Sequence, residues 1–181
     1  MEYLDVLDSE GRPIGKTKNR FEIHRDGDWH RAVHVWIITS KGELLIQKRA
    51  REKESNPNKW DISSAGHVLA GTDSIDAVIR EVKEELGLEL NKEDFEYLFT
   101  VKSQSVLNNG TYINNEFDDV YLVRRDLDIH KMTIQKEEVS EIKLINFKEL
   151  EQLISVGDQS FVAHPEEFKR LFTKLNEQKS R

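Results

Sequence analysis

Apolar residues along this chain recur mostly at strand spacing and, in one stretch, at helix spacing. "RAVHVWIITSKGELLIQKR" holds two β-rich runs on either side of Ser40-Lys41-Gly42, which predicts a hairpin. "FEYLFTVKSQSV", "NNG" and "TYINNEFDDVYLVRR" predict a second. "YLDVLD" reads as a short strand entering the turn "SEGRPIGK", "WDISSAGHVLAGT" as a strand entering a glycine-bearing loop, and "SEIKLINF" as a further strand. "AREKESNPNKW" is a charged loop containing Pro57. From Asp73 to Leu86 the period changes. Ile75, Ile79, Val82 and Leu86 fall on one stripe of a helix that turns about 100° per residue. Gly87 stands where a helix ends, and Thr72 is the expected N-cap. "NFKELEQLIS" and "HPEEFKRLFTKLNEQ" predict helices over about 147–178, with Pro165 in a first turn and "NEQKSR" as a frayed tail. Strands mixed with a few helices, without a βαβ rhythm, predict an α+β fold with helices packed outside a mixed sheet. Nothing divides the chain, so residues 1–181 are expected to form one domain.

Charged residues make up 34% of the chain and the net charge is −7, which argues against a general nucleic-acid binder. There is no cysteine, which excludes disulfides, thiolate metal sites and cysteine nucleophiles. "MEYLDVLDSEG" lacks the basic-then-apolar pattern of a signal peptide, and "VWII" is too short to span a bilayer. A cytoplasmic protein without membrane or nucleic-acid partners is expected.

The helix at 73–86 crowds Glu81, Glu84 and Glu85 onto neighbouring turns. Glu81 and Glu85 are one turn apart, where like charges repel. Either water screens them on a solvated face, or a cation sits among them. Mg²⁺ favours a few carboxylates, several waters and substrate phosphate oxygens.

"GHVLAGTDSIDAVIREVKEELGL", residues 66–88, resembles the Nudix box: Gly, five residues, Glu, seven residues, then Arg-Glu-aliphatic-x-Glu-Glu-x-Gly-aliphatic. Gly66, Arg80, Glu81, Val82, Glu84, Glu85, Gly87 and Leu88 are in register, and Thr72 replaces the first glutamate. The resemblance implies a mixed β-sheet sandwiched between helices and hydrolysis of a diphosphate with Mg²⁺ or Mn²⁺. By position, Glu81 and Glu85 would be metal ligands, Glu84 a ligand or supporting acid, and the Ala65 carbonyl a backbone ligand. Arg80 would orient the glutamates. Thr72 would leave the metal cluster one carboxylate poorer.

"RFEIHRDGDWHRAVHVWIITSKGELLIQKRAREK", followed by "WDISSAGHV", resembles the Nudix-fold isopentenyl-diphosphate isomerases. That resemblance implies metal binding by His24, His30 and His67, a ligand and acid/base role for Glu116, and a diphosphate grip by Arg20, Arg49 and Lys53. Asn114 stands where the isomerases have a second acidic ligand. The isomerase also needs a cysteine where this chain has Ala65, and alanine cannot exchange a proton with an alkene. The reading is therefore a Mg²⁺-dependent hydrolase of a nucleoside diphosphate derivative or related organic diphosphate. An isomerase and a non-catalytic nucleotide sensor are the alternatives. His34 is expected to be structural and Trp29, Trp36 and Trp60 core residues. Asp118, Asp119, Glu137 and Glu138 are candidates for a late acid completing the site, and loops 50–59 and 103–116 for specificity.

Overall fold

The structure, a computed structural model, describes residues 1–179. Its strands are β1 (Tyr3–Leu7), β2 (Pro13–Asn19), β3 (Trp29–Ile38), β4 (Glu43–Arg49), β5 (Trp60–Asp61), β6 (Ser64–His67), β7 (Phe95–Leu107), β8 (Tyr112–Arg124) and β9 (Val139–Asn146). The helices are α1 (Arg20–Asp26), α2 (Ser74–Leu86), α3 (Phe147–Ser155) and α4 (Pro165–Lys179). The tail expected to fray at 176 is helical through Lys179; residues 180–181 lie outside the described residues.

β3 organises the sheet. It pairs in parallel with β8 over its whole length, Trp29 opposite Asn115 and Ile38 opposite Arg124. On its other side Ala32–Val35 pair antiparallel with β6. A strand flanked in this way is buried on both faces and reads as a nearly continuous apolar run. Val33, Val35 and Ile37 pack toward α2, with Ala77, Val78, Val82 and Leu86. Trp36 and Ile38 pack on the opposite face with Phe147 and Leu150 of α3 and Phe168 and Leu171 of α4. This is the expected α+β arrangement, a mixed sheet between helices. Among the described residues no helix is long and apolar enough to cross a membrane.

The second hairpin forms as predicted, β7 against β8 from Phe95↔Val123 to Leu107↔Tyr112. The first does not stay paired. β3 and β4 share only the register pair Ile38↔Leu44, and β4 runs instead against β9 from Glu43↔Asn146 to Arg49↔Val139. Ser63 accounts for the split. Its hydroxyl accepts the Ile37 N–H at 2.9 Å and donates to the Leu45 carbonyl at 2.5 Å, standing between the diverging strands. Helix α1, which hydrophobic periodicity did not reveal, is short. Asn19 caps it by accepting the Glu22 N–H at 3.0 Å, and Gly27 ends it at φ 71°.

In α2 the N-cap is Asp73, whose side chain accepts the Asp76 N–H at 3.0 Å; the Thr72 expectation is corrected. The Thr72 hydroxyl donates to the Leu69 carbonyl at 2.8 Å in the preceding turn and is exposed. The buried face of α2 is also rotated from the expected stripe. Ile75 and Ile79 are only half-buried, whereas Ala77, Val78, Glu81, Val82, Glu85 and Leu86 are buried. The helix therefore directs two acids inward.

Candidate active site

Glu81 and Glu85 lie along a cavity of about 260 Å³. Most of the residues singled out in the sequence share its wall: Arg20, Arg49, Lys53, Ala65, His67, Glu81, Glu84, Glu85 and Glu116. Arg80, His24 and His30 do not line it, but each bonds to a residue that does.

The box supplies one side. A Cβ added at Gly66 would lie 2.0 Å from Glu81 Cδ, so only glycine lets β6 pass so close to the Glu81 carboxylate. Arg80 bridges the Glu81 carboxylate at 2.5 Å and the His67 carbonyl at 2.7 Å, tying helix to strand. Glu85 accepts hydrogen bonds from the Ser64 hydroxyl at 2.7 Å, the Gln47 amide at 3.2 Å and the Ala65 N–H at 3.3 Å. These donors are neutral. Burial pushes the Glu85 carboxyl up to about 7, the Ser64 hydroxyl opposing and the nearby Glu81 charge adding to it. Burial likewise raises Glu81, against the pull of Arg80. Glu84 is exposed and lies 4.0 Å from Arg80 at its nearest approach.

A second cluster lies across the cavity. His24, His30 and His67 each present a ring nitrogen within 4.8 Å of the others. Glu116 Oε1 lies 3.2 Å from His30 Nε2 and 3.6 Å from His67 Nε2. The other ring nitrogens are held in place: His30 Nδ1 by the Asp28 carbonyl at 3.1 Å and His24 Nδ1 by the Ile113 carbonyl at 3.3 Å. Carbonyl partners of this kind fix the tautomer and leave Nε2 free to face a ligand. His24 Nε2 meets the Tyr112 hydroxyl at 3.0 Å. Burial lowers His24 to about 3, with the His30 and His67 charges adding to it. Burial would raise Glu116, but its bonds to His30 and His67 hold it well below the usual carboxylate range. Asn114 donates to Glu116 Oε2.

The basic residues enter the cavity already engaged. Arg49 contacts Asp61 at 3.0 Å and the Ser55 carbonyl and hydroxyl, each at 3.0 Å. Lys53 pairs with Glu138, which also lines the cavity. Arg20 keeps a buried Nε without a hydrogen-bond partner, a donor available to an anion.

Of the late acids, Glu138 reaches the cavity, whereas Glu137 is exposed. Asp119 is structural, accepting from Arg31 at 2.9 Å and from Thr100 and Ser74, each at 2.5 Å. His34, expected to be structural, is buried and meets Glu167 at 2.6 Å. Trp36 is a core residue; Trp29 and Trp60 are half-buried, beneath the Lys102 and Lys143 ammonium groups. Thr72 itself does not line the cavity. Sequence reasoning does not single out Glu2, Asp61, Gln135 and His164 as wall residues, and reaches Tyr112 only as part of the 103–116 segment. The only sequence signal among these is the His164-Pro165 pair, which by itself marks no more than a helix start.

Comparison with known proteins agrees with this geometry. The family model describing the NUDIX domain matches residues 28–165. Nudix hydrolase 3 of Arabidopsis thaliana is 46% identical over 166 residues, 90% of this chain but only 22% of that protein's length. Isopentenyl-diphosphate Delta-isomerase 2 of Photorhabdus laumondii is 32% identical over 155 residues, 85% of this chain and 82% of the isomerase. Among solved structures, DR0079 of Deinococcus radiodurans superposes with a TM-score of 0.69 at 22% identity, covering 93% of this chain and 96% of that one, a likeness of fold. The chain belongs to the Nudix family and is an enzyme of the Nudix hydrolase type, with isopentenyl-diphosphate isomerases among its relatives.

Proposed function

We propose that residues 1–181 act as a single cytoplasmic Nudix domain. It hydrolyses the diphosphate linkage of a nucleoside diphosphate derivative or a related small organic diphosphate, with Mg²⁺ or Mn²⁺ and without nucleic-acid or membrane partners. The observation that carries this reading is the pair of buried carboxylates, Glu81 and Glu85, in one cavity with Arg20, Arg49 and Lys53. Two buried acids whose burial raises both carboxyls are a site waiting for positive charge. Their oxygen donors suit Mg²⁺ or Mn²⁺, and the Ala65 carbonyl is the proposed backbone ligand. When bound, the ion supplies charge neutralisation at the diphosphate oxygens and acidifies water.

Glu81, oriented by Arg80, and Glu85, oriented by Ser64 and Gln47, hold their carboxylates ready. Glu84, exposed at the cavity edge, positions water or accepts its proton. Arg20, Arg49 and Lys53 bind the phosphate oxygens. Because Lys53 and Arg49 already hold Glu138 and Asp61, substrate must compete for them, whereas the Arg20 Nε needs no such exchange. Glu116, held ionised by His30 and His67, accepts a proton or completes the neighbouring histidine cluster. The nitrogen donors of that cluster suit a softer ion than Mg²⁺.

The isomerase-like histidines are intact, yet Ala65 gives no proton to the second face of an alkene, so the reading remains hydrolysis. A screen of nucleoside di- and triphosphates, nucleotide sugars, dinucleotides and prenyl diphosphates, with and without Mg²⁺, tests it. Metal-dependent phosphate or phosphomonoester release from at least one of them is expected. No release from any of them would shift the reading to a nucleotide sensor.

A further inference from the structure

A second group of ligating side chains lies where β3, β8 and the start of α4 meet. His34, His164 and Glu167 each present a ligand atom within 4.8 Å of the others. We propose that these three residues form a separate metal site that takes a zinc-type divalent ion, distinct from the box carboxylates and from the His24, His30 and His67 cluster.

The donor set is two imidazoles and a carboxylate, which matches zinc and its first-row neighbours better than Mg²⁺. His164 and Glu167 are also held from behind. His164 gives Nε2 to Asp61 Oδ1 at 2.9 Å, which leaves Nδ1 as its ligand atom. Glu167 Oε1 accepts the Trp36 indole N–H at 2.7 Å, which leaves Oε2. His34 turns Nδ1 to that same Oε2 at 2.6 Å and Nε2 toward Asp118 Oδ1 at 3.7 Å. Carboxylate-backed imidazoles of this kind are what metal sites use to fix ring and tautomer.

Asp118 lies behind His34. It is 2% exposed, and its Oδ1 is buried without a hydrogen-bond partner, while Oδ2 accepts from Ser103 at 2.7 Å. A metal on His34 Nδ1 forces the Nε2–H tautomer, which points a donor at that orphaned oxygen. A protonated His34 paired with Glu167 offers Asp118 the same Nε2–H, so Asp118 accommodates either state and the zinc measurement decides between them.

Access is open. His34, His164 and Glu167 line a cavity of about 380 Å³ between β7 and the start of α4, and His34 and His164 also face the first cavity. Zinc bonds of roughly 2.0–2.2 Å need the ligands farther apart than the 2.6 Å of His34 and Glu167, so the contact must open slightly on binding.

The test uses the full chain with zinc as the only probe. The metal-free protein is dialysed to equilibrium against buffered zinc, assayed for metal content, and crystallised for anomalous diffraction at the zinc edge. The expected result is an anomalous peak between His34, His164 and Glu167, and a loss of one zinc per chain in His164→Asn with an unchanged circular dichroism spectrum. His67→Asn should lower zinc content only through the other cluster and leave this peak in place. An absent peak here overturns the proposal, whether or not the other cluster is filled. Wild-type zinc content in folded His164→Asn also overturns it. The crystal measurement needs no variant, so a misfolded His164→Asn does not remove the test.

Discussion

Gly66 and Glu81 are in such close contact that a single added carbon at position 66 would overlap the carboxylate, 2.0 Å from Cδ. Backbone and acid are thus fitted to each other across β6 and α2. Gly66→Ala should push Glu81 out of place and loosen the bridge from Arg80. We expect about 1–3 kcal/mol loss of stability from overpacking and a fall in Mg²⁺ affinity of about 10–100-fold, the range seen when groups that orient ligands are disturbed. Chemical denaturation and a Mg²⁺ titration of activity measure the two effects.

Glu85 predicts an unusual pH dependence in metal-free protein. Its folded carboxyl lies at about 7, above the ordinary 4.5. The unfolded state therefore gives up its proton at lower pH than the folded state does. The stability contributed by this group is complete below about pH 4.5 and is lost as the pH rises through 7. Glu85→Gln should remove that loss. In chelator, the variant should equal or exceed wild type at pH 8 and lose its advantage at pH 4, as read by urea melts at both values. A constant difference across pH would show that Glu85 is not the titrating group.

The two residues at the start of α2 should separate cleanly. Asp73 caps the helix, so Asp73→Ala should cost about 1 kcal/mol. Thr72 holds only the exposed Leu69 turn, so Thr72→Ala should change thermal stability little. Thr72→Glu restores the carboxylate that the box pattern carries and should lower the Mg²⁺ requirement; superimposed Mg²⁺ titrations would show that position 72 does not serve the metal cluster.

Ala65 predicts an absent activity. Incubated with isopentenyl diphosphate in deuterated water, the protein should form no isomer and incorporate no deuterium. Isomer at enzymatic rates would mean another group donates the proton that a cysteine supplies in the isomerases.

The box was legible because its residues are local: Gly66, Arg80, Glu81 and Glu85 fall within one loop and one helix, so the motif could be matched, although spacing by itself left a solvated acidic face and a cation site equally open. The helix–strand sandwich was legible from the same periodicity. The pairing of β4 was not, because it depends on Ser63 inserting between β3 and β4 and on a partner, β9, almost a hundred residues later. The His34, His164 and Glu167 network was equally hidden. Its members come from β3 and the start of α4, and a lone histidine in a strand carries no sign of a partner so distant. The Thr72 reading failed because Thr72 and Asp73 are both good caps, and only the backbone turn from Leu69 decides between them.

The central claim is that Glu81 and Glu85 hold the ion that makes diphosphate hydrolysis possible. The most direct measurement is a Mg²⁺ titration of hydrolysis, on whichever diphosphate the screen identifies, for wild type and Glu85→Gln side by side, with circular dichroism of both. The account predicts that wild type saturates with Mg²⁺ while folded Glu85→Gln loses most activity at every Mg²⁺ concentration. Near-normal turnover with an unshifted Mg²⁺ midpoint in Glu85→Gln would contradict it.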